Sequence, residues 1–125
     1  MDILLDTHIL LWWLADDALL SEKARALIAD QANQITVSAA TAWEVVIKKA
    51  LGKLSIDGDL EQEIGRQGFA MLPVTFAHAT EISSLPAIHR DPFDRMLVAQ
   101  ARIENLRLLT VDQNILRYPA NVIEG

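Results

Sequence analysis

Short apolar runs alternate with longer amphipathic stretches along the chain of 125 residues. Runs that are apolar at nearly every position indicate strands buried on both faces, as in a parallel sheet. The runs that predict strands are residues 3–5, 35–37, 69–74, 106–111 and 122–123. Pro73 places the third of these at the end of a strand or at an edge of the sheet, and the last run is short enough for an edge strand. The first run predicts the central strand.

Helix signals occupy the stretches between these runs. The candidate N-cap residues are Ser21, Ser38, Asp59, Thr75 and Asp91. Asp91 comes directly before Pro92 and begins an acid-rich first turn. A first helix follows the opening strand directly, and others are predicted at about 39–51, 59–68, 75–85 and 91–104. Alternating strands and helices predict an α/β protein, a three-layer α/β/α domain with a central parallel sheet of about four or five strands. With no repeat or linker visible, residues 1–125 are interpreted as one domain.

Composition narrows the class of protein. The chain is 51% hydrophobic and has no cysteine, which excludes disulfides and thiolate metal sites. No segment is long enough to span a bilayer and no signal peptide is recognisable, so we expect a cytoplasmic protein without a membrane partner. The net charge of −6 argues against an extended basic surface for nucleic acid. It is compatible with an acidic site that reaches a phosphodiester through divalent cations.

Two acids follow directly on predicted strands. Asp6 comes after the first strand and Asp112 after the fourth. In an open parallel sheet both positions belong to the carboxyl edge, where ligands bind. For Asp112 taken alone, a plain loop or N-cap role explains the residue equally well, but the pair favours a site. Thr7 and Thr110 flank the two acids and are placed to hold the carboxylates or a bound water.

A third acid, Glu44, falls on the helix predicted at 39–51. It lies at the edge of an apolar arc formed by Trp43, Val46, Ile47, Ala50 and Leu51. The simplest alternative is an i,i+4 ion pair with Lys48, worth about 0.3–0.5 kcal/mol. Both interpretations are compatible, because Lys48 can orient a metal-binding Glu44.

Asp91 and Asp94 open the next helix and are predicted to differ in role. Asp91 precedes Pro92 and is interpreted as the N-cap. Asp94 shares a helical stripe with Leu97 and Val98, so it stands at the N-terminal end of the buried face and is the better ligand candidate.

The histidines and basic residues give weaker signals. His8, His78 and His89 lack the paired spacing of a zinc site, and His8, although next to Asp6, is expected to be packed. Lys48 and Arg95 are predicted to contact substrate phosphates, while the other basic residues near the acids are expected to be mostly solvated. The tryptophans at 12, 13 and 43 are interpreted as core or dimer surface.

No Walker, G-x-G-x-x-G or G-x-S-x-G motif occurs, which leaves four carboxylates without a nucleophile. Oxygen ligands of this kind suit Mg²⁺ or Mn²⁺. Such ions activate water for attack on a phosphodiester. The pattern therefore indicates metal-dependent phosphoryl chemistry more clearly than it indicates a substrate.

Several blocks of sequence resemble PIN-domain proteins, and above all the VapC-type toxins of type II toxin–antitoxin pairs. They are LLDTH at 4–8, SAATAWEVVIK at 38–48, GKL at 52–54, HRDPFDRMLVAQA at 89–101 and LTVD at 109–112. The resemblance implies a Mg²⁺-dependent endoribonuclease whose four acids are Asp6, Glu44, Asp94 and Asp112. Asp6 and Asp94 would bind the metal directly, and Glu44 and Asp112 would bind through water or complete a second metal. It further implies a homodimer and a cognate antitoxin, for which the apolar early helices with Trp12 and Trp13 are a candidate surface.

Two other functions stay open. One is a PIN nuclease that acts in RNA processing or on DNA and has no antitoxin. The other is a signalling module similar to a response-regulator receiver, which shares the length, the α/β order and an acidic Mg²⁺ pocket. Receivers, however, carry two adjacent acids after the first strand and a lysine after the last one, whereas here Asp6 stands alone between Leu5 and Thr7.

Overall fold

Five parallel strands form one sheet in the computed structural model, which describes all 125 residues. The strands are β1 (Asp2–Leu5), β2 (Gln34–Ser38), β3 (Ala70–Leu72), β4 (Arg107–Thr110) and β5 (Val122–Glu124). Their order is β3-β2-β1-β4-β5, and every neighbouring pair is parallel. The predictions of a central first strand and of edge positions for the third and fifth strands are therefore confirmed.

Six α-helices connect the strands. They are α1 (Thr7–Leu14), α2 (Glu22–Ala29), α3 (Ala39–Ala50), α4 (Leu60–Arg66), α5 (Phe76–Glu81) and α6 (Pro92–Ile103), with 3₁₀ turns at Ile82–Ser84 and Ile115–Arg117. All five predicted N-cap side chains accept a backbone N–H in the first turn of their helix. Asp6 caps α1 in the same way, so the chain passes from β1 into α1 with no intervening loop. None of the helices combines the length and the apolar character that crossing a membrane requires.

Two apolar cores lie on opposite faces of the sheet. Ile3 and Leu5 of β1 belong to the core that also contains residues of α1, α2 and α4, whereas Leu4 belongs to the core with residues of α6. This division follows from the alternation of side chains along a strand. All three are fully buried, and burying each aliphatic side chain contributes about 1.5–3 kcal/mol. Helices cover both faces, which confirms the three-layer α/β/α architecture.

Helix α3 does not bury the apolar arc of its sequence. Most of the apolar arc that includes Trp43 and Val46 faces outward, and these two side chains are 63% and 64% exposed. The buried side carries Thr41, Glu44 and Val45 instead. Hydrophobic periodicity fails here because the buried carboxylate has polar partners inside the protein, which compensate for its removal from water. Glu44 is therefore part of the buried face and not at the edge of an apolar one.

Candidate active site

Asp6 lies where β1 ends at the carboxyl edge of the sheet. Its backbone N–H donates to the carbonyl of Leu109 on β4 over 3.0 Å, which ties it to the neighbouring strand. One carboxylate oxygen accepts the N–H of His8 at 2.8 Å, and the other accepts the hydroxyl of Thr110. Asp6 is almost completely buried. Burial raises the pKa of Asp6 above its usual value, although the hydrogen bonds from Thr110 and His8 work against that shift.

Asp112 lies at the same edge, two residues after β4. Its Oδ1 accepts the N–H groups of Asn114 at 2.8 Å and Ile115 at 3.3 Å, and its own N–H donates to Thr110 Oγ1 at 3.0 Å. Asp112 therefore has the loop-capping role that the sequence left open. This role employs only one carboxylate oxygen, and the second oxygen can bind a cation.

Asp94 stands in the first turn of α6, with Asp91 as the N-cap before it. Asp91 Oδ1 accepts the N–H of Phe93 at 2.8 Å and of Asp94 at 3.1 Å, which confirms the predicted separation between cap and inward-facing acid. Burial, as the largest cause, and the charges of Asp91, Asp6, Asp112 and Glu44, in that order, together raise the pKa of Asp94 to about 7. The charges of the other three predicted acids therefore all act on Asp94.

Glu44 is buried behind this group and is held by neutralising partners. Thr7 Oγ1 donates to Glu44 Oε1 at 2.8 Å and also lies 3.1 Å from the hydroxyl of Thr41. Lys48 Nζ donates to Glu44 Oε2 at 2.6 Å, so the predicted i,i+4 pair exists. The hydrogen bond to Glu44 raises the pKa of Lys48 above its usual value, which keeps the ammonium charged. Thr7 and Thr110 thus hold carboxylates, as their positions in sequence suggested.

His89 belongs to this site, although sequence reasoning did not select it. Its Nε2 lies 3.0 Å from Asp94 Oδ2, and one donor atom each of His89, Asp94 and Asp112 falls within 4.8 Å of the others. The spacing of five residues between His89 and Asp94 crosses a loop and a helix start, so helical periodicity cannot relate them. The only signal available was the position of His89 at the beginning of the HRDPFDR block.

The remaining predicted residues lie in varied positions. Lys48 is partly exposed beside the acids, where it can meet a phosphate. Arg95 instead donates to the carbonyls of Pro86 and Ile82, so its guanidinium holds the loop before α6; its contact with substrate stays a prediction. His8 was expected to be packed, and this is wrong: its side chain is 61% exposed, because Asp6 accepts its backbone N–H and leaves the ring outside.

The donor set suits a hard divalent cation. Carboxylates from four segments of the chain lie near one another, and burial together with the repulsion between these like charges raises the pKa of Asp94. A cation bound among these oxygens would relieve that repulsion, since oxygen-rich sites are what Mg²⁺ and Mn²⁺ prefer. The residues present therefore fit a metal of this class.

Comparison with known proteins gives the same architecture. Three solved structures resemble the chain across nearly its full length: VapBC2 from Rickettsia felis bound to a promoter DNA fragment (14% identity, TM-score 0.67, 99% of this chain and 98% of that chain), a toxin–antitoxin complex from Klebsiella pneumoniae (19%, 0.68, 98% and 96%) and FitAcB from Neisseria gonorrhoeae (22%, 0.68, 98% and 96%). At these identities the likeness concerns the fold alone. No curated protein sequence matches. The family model described as PIN domain matches residues 3–121, and the chain therefore belongs to the PIN-domain family.

Proposed function

We propose that this protein is a Mg²⁺-dependent endoribonuclease and the toxin of a type II toxin–antitoxin pair. The observation that carries the proposal is the grouping of four carboxylates at the carboxyl edge of a PIN-domain sheet, where burial and the charges of neighbouring acids together raise the pKa of Asp94 to about 7. Such a concentration of like charge destabilises a fold without a cation, so a binding role explains it better than a structural one.

In this proposal Asp6 and Asp94 bind Mg²⁺ directly, or Mn²⁺ in its place. Asp112, which has one carboxylate oxygen free, and Glu44 bind the same ion through water molecules or complete the coordination of a second ion. The bound metal supplies an activated water and neutralises the charge that develops on the phosphodiester. The hydroxyls of Thr7 and Thr110 keep the acids in place. Lys48 holds Glu44 by one N–H and has further N–H groups that can donate to a phosphate oxygen of RNA.

A groove of about 1010 Å³ beside the acids supports the proposed antitoxin partner. Thr7, His8 and Lys48 line the end nearest the acids, and Trp12 and Leu60 contribute apolar surface farther along. An extended antitoxin segment in this groove would reach the acids, which is how it would obstruct them. The three solved structures named above include two complexes of the VapBC or toxin–antitoxin kind by their own descriptions.

The outward face of α3 supports the proposed homodimer. Trp43, Val46 and Leu51 are each more than 60% exposed, and Phe76, at the start of α5, is 93% exposed. Exposed apolar side chains of this number indicate a protein contact. Light scattering of the purified protein tests the dimer: Trp43→Glu should yield monomers, and a wild-type monomer at micromolar concentration would contradict it.

RNA cleavage by purified protein tests the proposed activity. We expect wild-type protein with Mg²⁺ or Mn²⁺ to cut RNA, and Asp6→Asn and Asp94→Asn to cut about 10³-fold more slowly, because a bound metal contributes several kcal/mol to transition-state stabilisation. Asp91→Asn is the matched control: asparagine is an equally good N-cap, so cleavage should persist.

The same preparations separate the alternatives. Equal cutting by the Asn variants would identify a contaminating nuclease and contradict the site. Cleavage of DNA in place of RNA would favour a PIN nuclease without an antitoxin. The absence of an adjacent gene for a DNA-binding antitoxin would favour the same alternative. Uptake of phosphate from a small phosphodonor would favour the receiver-like module.

A further inference from the structure

His89 lies among the acids with its backbone fixed from two sides. The hydroxyl of Tyr118 accepts the N–H of His89 at 2.9 Å and lies 3.3 Å from its carbonyl oxygen, to which it donates. Tyr118 is itself buried and accepts an N–H of Arg95 at 3.2 Å. Through these bonds the first turn of α6 and the segment after β4 determine where His89 lies.

The ring is directed at carboxylates and not at solvent. Its Nε2 lies 3.0 Å from Asp94 Oδ2, and the side chain is only 25% exposed. Two neighbouring ligands of an octahedral ion, each about 2.1 Å from the metal, lie about 3 Å apart. The separation of the nitrogen and the oxygen therefore fits two ligands of one cation, and Asp112 offers a third donor atom within 4.8 Å of both.

We propose that His89 Nε2 is a ligand of the metal, next to Asp94 and Asp112, and that it makes the site prefer Mn²⁺ to Mg²⁺. The inference rests on the proposed function, because it adds a residue to the same metal site. Mg²⁺ binds oxygen ligands and keeps several waters, whereas imidazole is a ligand for transition metals. A nitrogen donor beside these carboxylates thus shifts the selectivity of the site without closing it to Mg²⁺.

The competing role for His89 is a hydrogen bond only. In that case Nε2–H would donate to Asp94 and position the carboxylate, and no nitrogen would touch the cation. The two roles differ in one observable, the presence of a coordinated nitrogen. Pulsed electron paramagnetic resonance detects ¹⁴N coupled to bound Mn²⁺, and it does so independently of cleavage activity.

The experiment measures wild-type protein, His89→Asn and the matched control His8→Asn, each loaded with Mn²⁺ alone. His8 is the suitable control because its ring lies 3.9 Å from Asp6 but is mostly exposed. We expect nitrogen coupling in wild type and His8→Asn and none in His89→Asn. Titration should give His89→Asn an about tenfold weaker Mn²⁺ affinity, with Mg²⁺ affinity changed less. His89→Gln replaces His89→Asn if circular dichroism shows that the latter is unfolded.

Each outcome has a distinct meaning. Mn²⁺ that binds wild type without nitrogen coupling overturns the role of His89 and leaves the acidic metal site standing. If the nitrogen coupling disappears in His8→Asn, the coordinated nitrogen belongs to His8 and not to His89, and the inference is overturned as well. Failure of wild type to bind Mn²⁺ or Mg²⁺ at millimolar concentration contradicts the proposed function itself.

Discussion

Helix α6 contributes to two largely buried polar clusters that differ in charge. The first turn of α6 supplies Asp94 to the acidic site, and its second half supplies Gln100 to the other cluster. We call this second cluster the Gln100 network; its members are Ser38, His78, Gln100 and Glu104. Both clusters lie at the carboxyl side of the sheet on one helix. The acidic site contains like charges that repel one another, whereas the Gln100 network alternates donors with acceptors.

In the Gln100 network each polar group has a hydrogen-bond partner. Ser38 Oγ donates to Gln100 Oε1 at 2.5 Å, and Gln100 Nε2 donates to the carbonyl of Pro73 at 3.3 Å. His78 Nδ1 accepts the N–H of Thr75 at 3.0 Å, so the proton of a neutral ring is on Nε2, which lies 3.2 Å from Glu104 Oε1. Matched buried hydrogen bonds of this kind stabilise a fold, and unmatched buried charges destabilise it. The contrast distinguishes a structural cluster from a binding site within one helix.

Gln100→Leu tests the structural half of this contrast and should have the largest effect on stability. Leucine removes the acceptor of the Ser38 hydroxyl proton and the donor to the Pro73 carbonyl, at about 1–3 kcal/mol for each buried group left unsatisfied. We expect urea unfolding to show a loss of about 3 kcal/mol. The exposed Gln113→Leu is the control and should change stability by less than about 0.5 kcal/mol. A loss of under about 1 kcal/mol for Gln100→Leu would show that the network is dispensable.

Asp94→Asn tests the other half and should have the opposite sign. The pKa of Asp94 is raised to about 7 in the folded protein, above the value of about 3.9 for an unfolded chain. The folded state therefore binds more protons between these values, and wild-type stability falls as pH rises from about 4 to 7. In chelator at about pH 8 we expect the variant to be about 2 kcal/mol more stable than wild type, by urea unfolding.

The pH profile supplies the control for that prediction. The difference between Asp94→Asn and wild type should shrink toward zero as the pH falls below about 4, because the wild-type carboxyl is then increasingly protonated in both states. Asp91→Asn, which keeps the cap and removes only one of four repelling charges, should gain less. Saturating Mg²⁺ should stabilise wild type more than Asp94→Asn. A variant less stable than wild type at every pH would mean that Asp94 supports the fold.

The architecture was accessible to sequence reasoning because its signals are local. Runs of buried strand residues and N-cap side chains such as Asp91 predict where elements begin, and the position of Asp6 after β1 predicts the edge at which it lies. The four acids could be chosen for the same reason. Three of them, Asp6, Asp94 and Asp112, stand at a strand end or a helix start, and parallel topology brings such positions together, whereas Glu44 was selected from its place inside α3.

The errors arise where a side chain is positioned by partners distant in sequence. Glu44 was predicted at the edge of the apolar arc of α3, but it is buried, and the arc with Trp43 faces mostly outward, because Thr7, 37 residues earlier, donates to Glu44. His89 was overlooked because Tyr118, 29 residues later, directs it into the site. Neither relation leaves a periodic pattern, so both require the tertiary structure.

Lys48→Met should have the smallest effect on stability. It tests to which of the two kinds of cluster Glu44 belongs, because Glu44 is an acid of the site but is buried with hydrogen-bond donors around it. The variant leaves Thr7 as the only remaining donor to Glu44, yet Lys48 is 37% exposed and solvent weakens the pair. We expect a loss of about 1 kcal/mol in urea unfolding, and no further loss when Lys48→Met is added to Glu44→Gln. Lys49→Met, next to it and exposed, should be neutral. Equal losses in the presence and absence of the Glu44 carboxylate would show that Lys48 stabilises the protein through its aliphatic chain and that Glu44 belongs with the repelling acids.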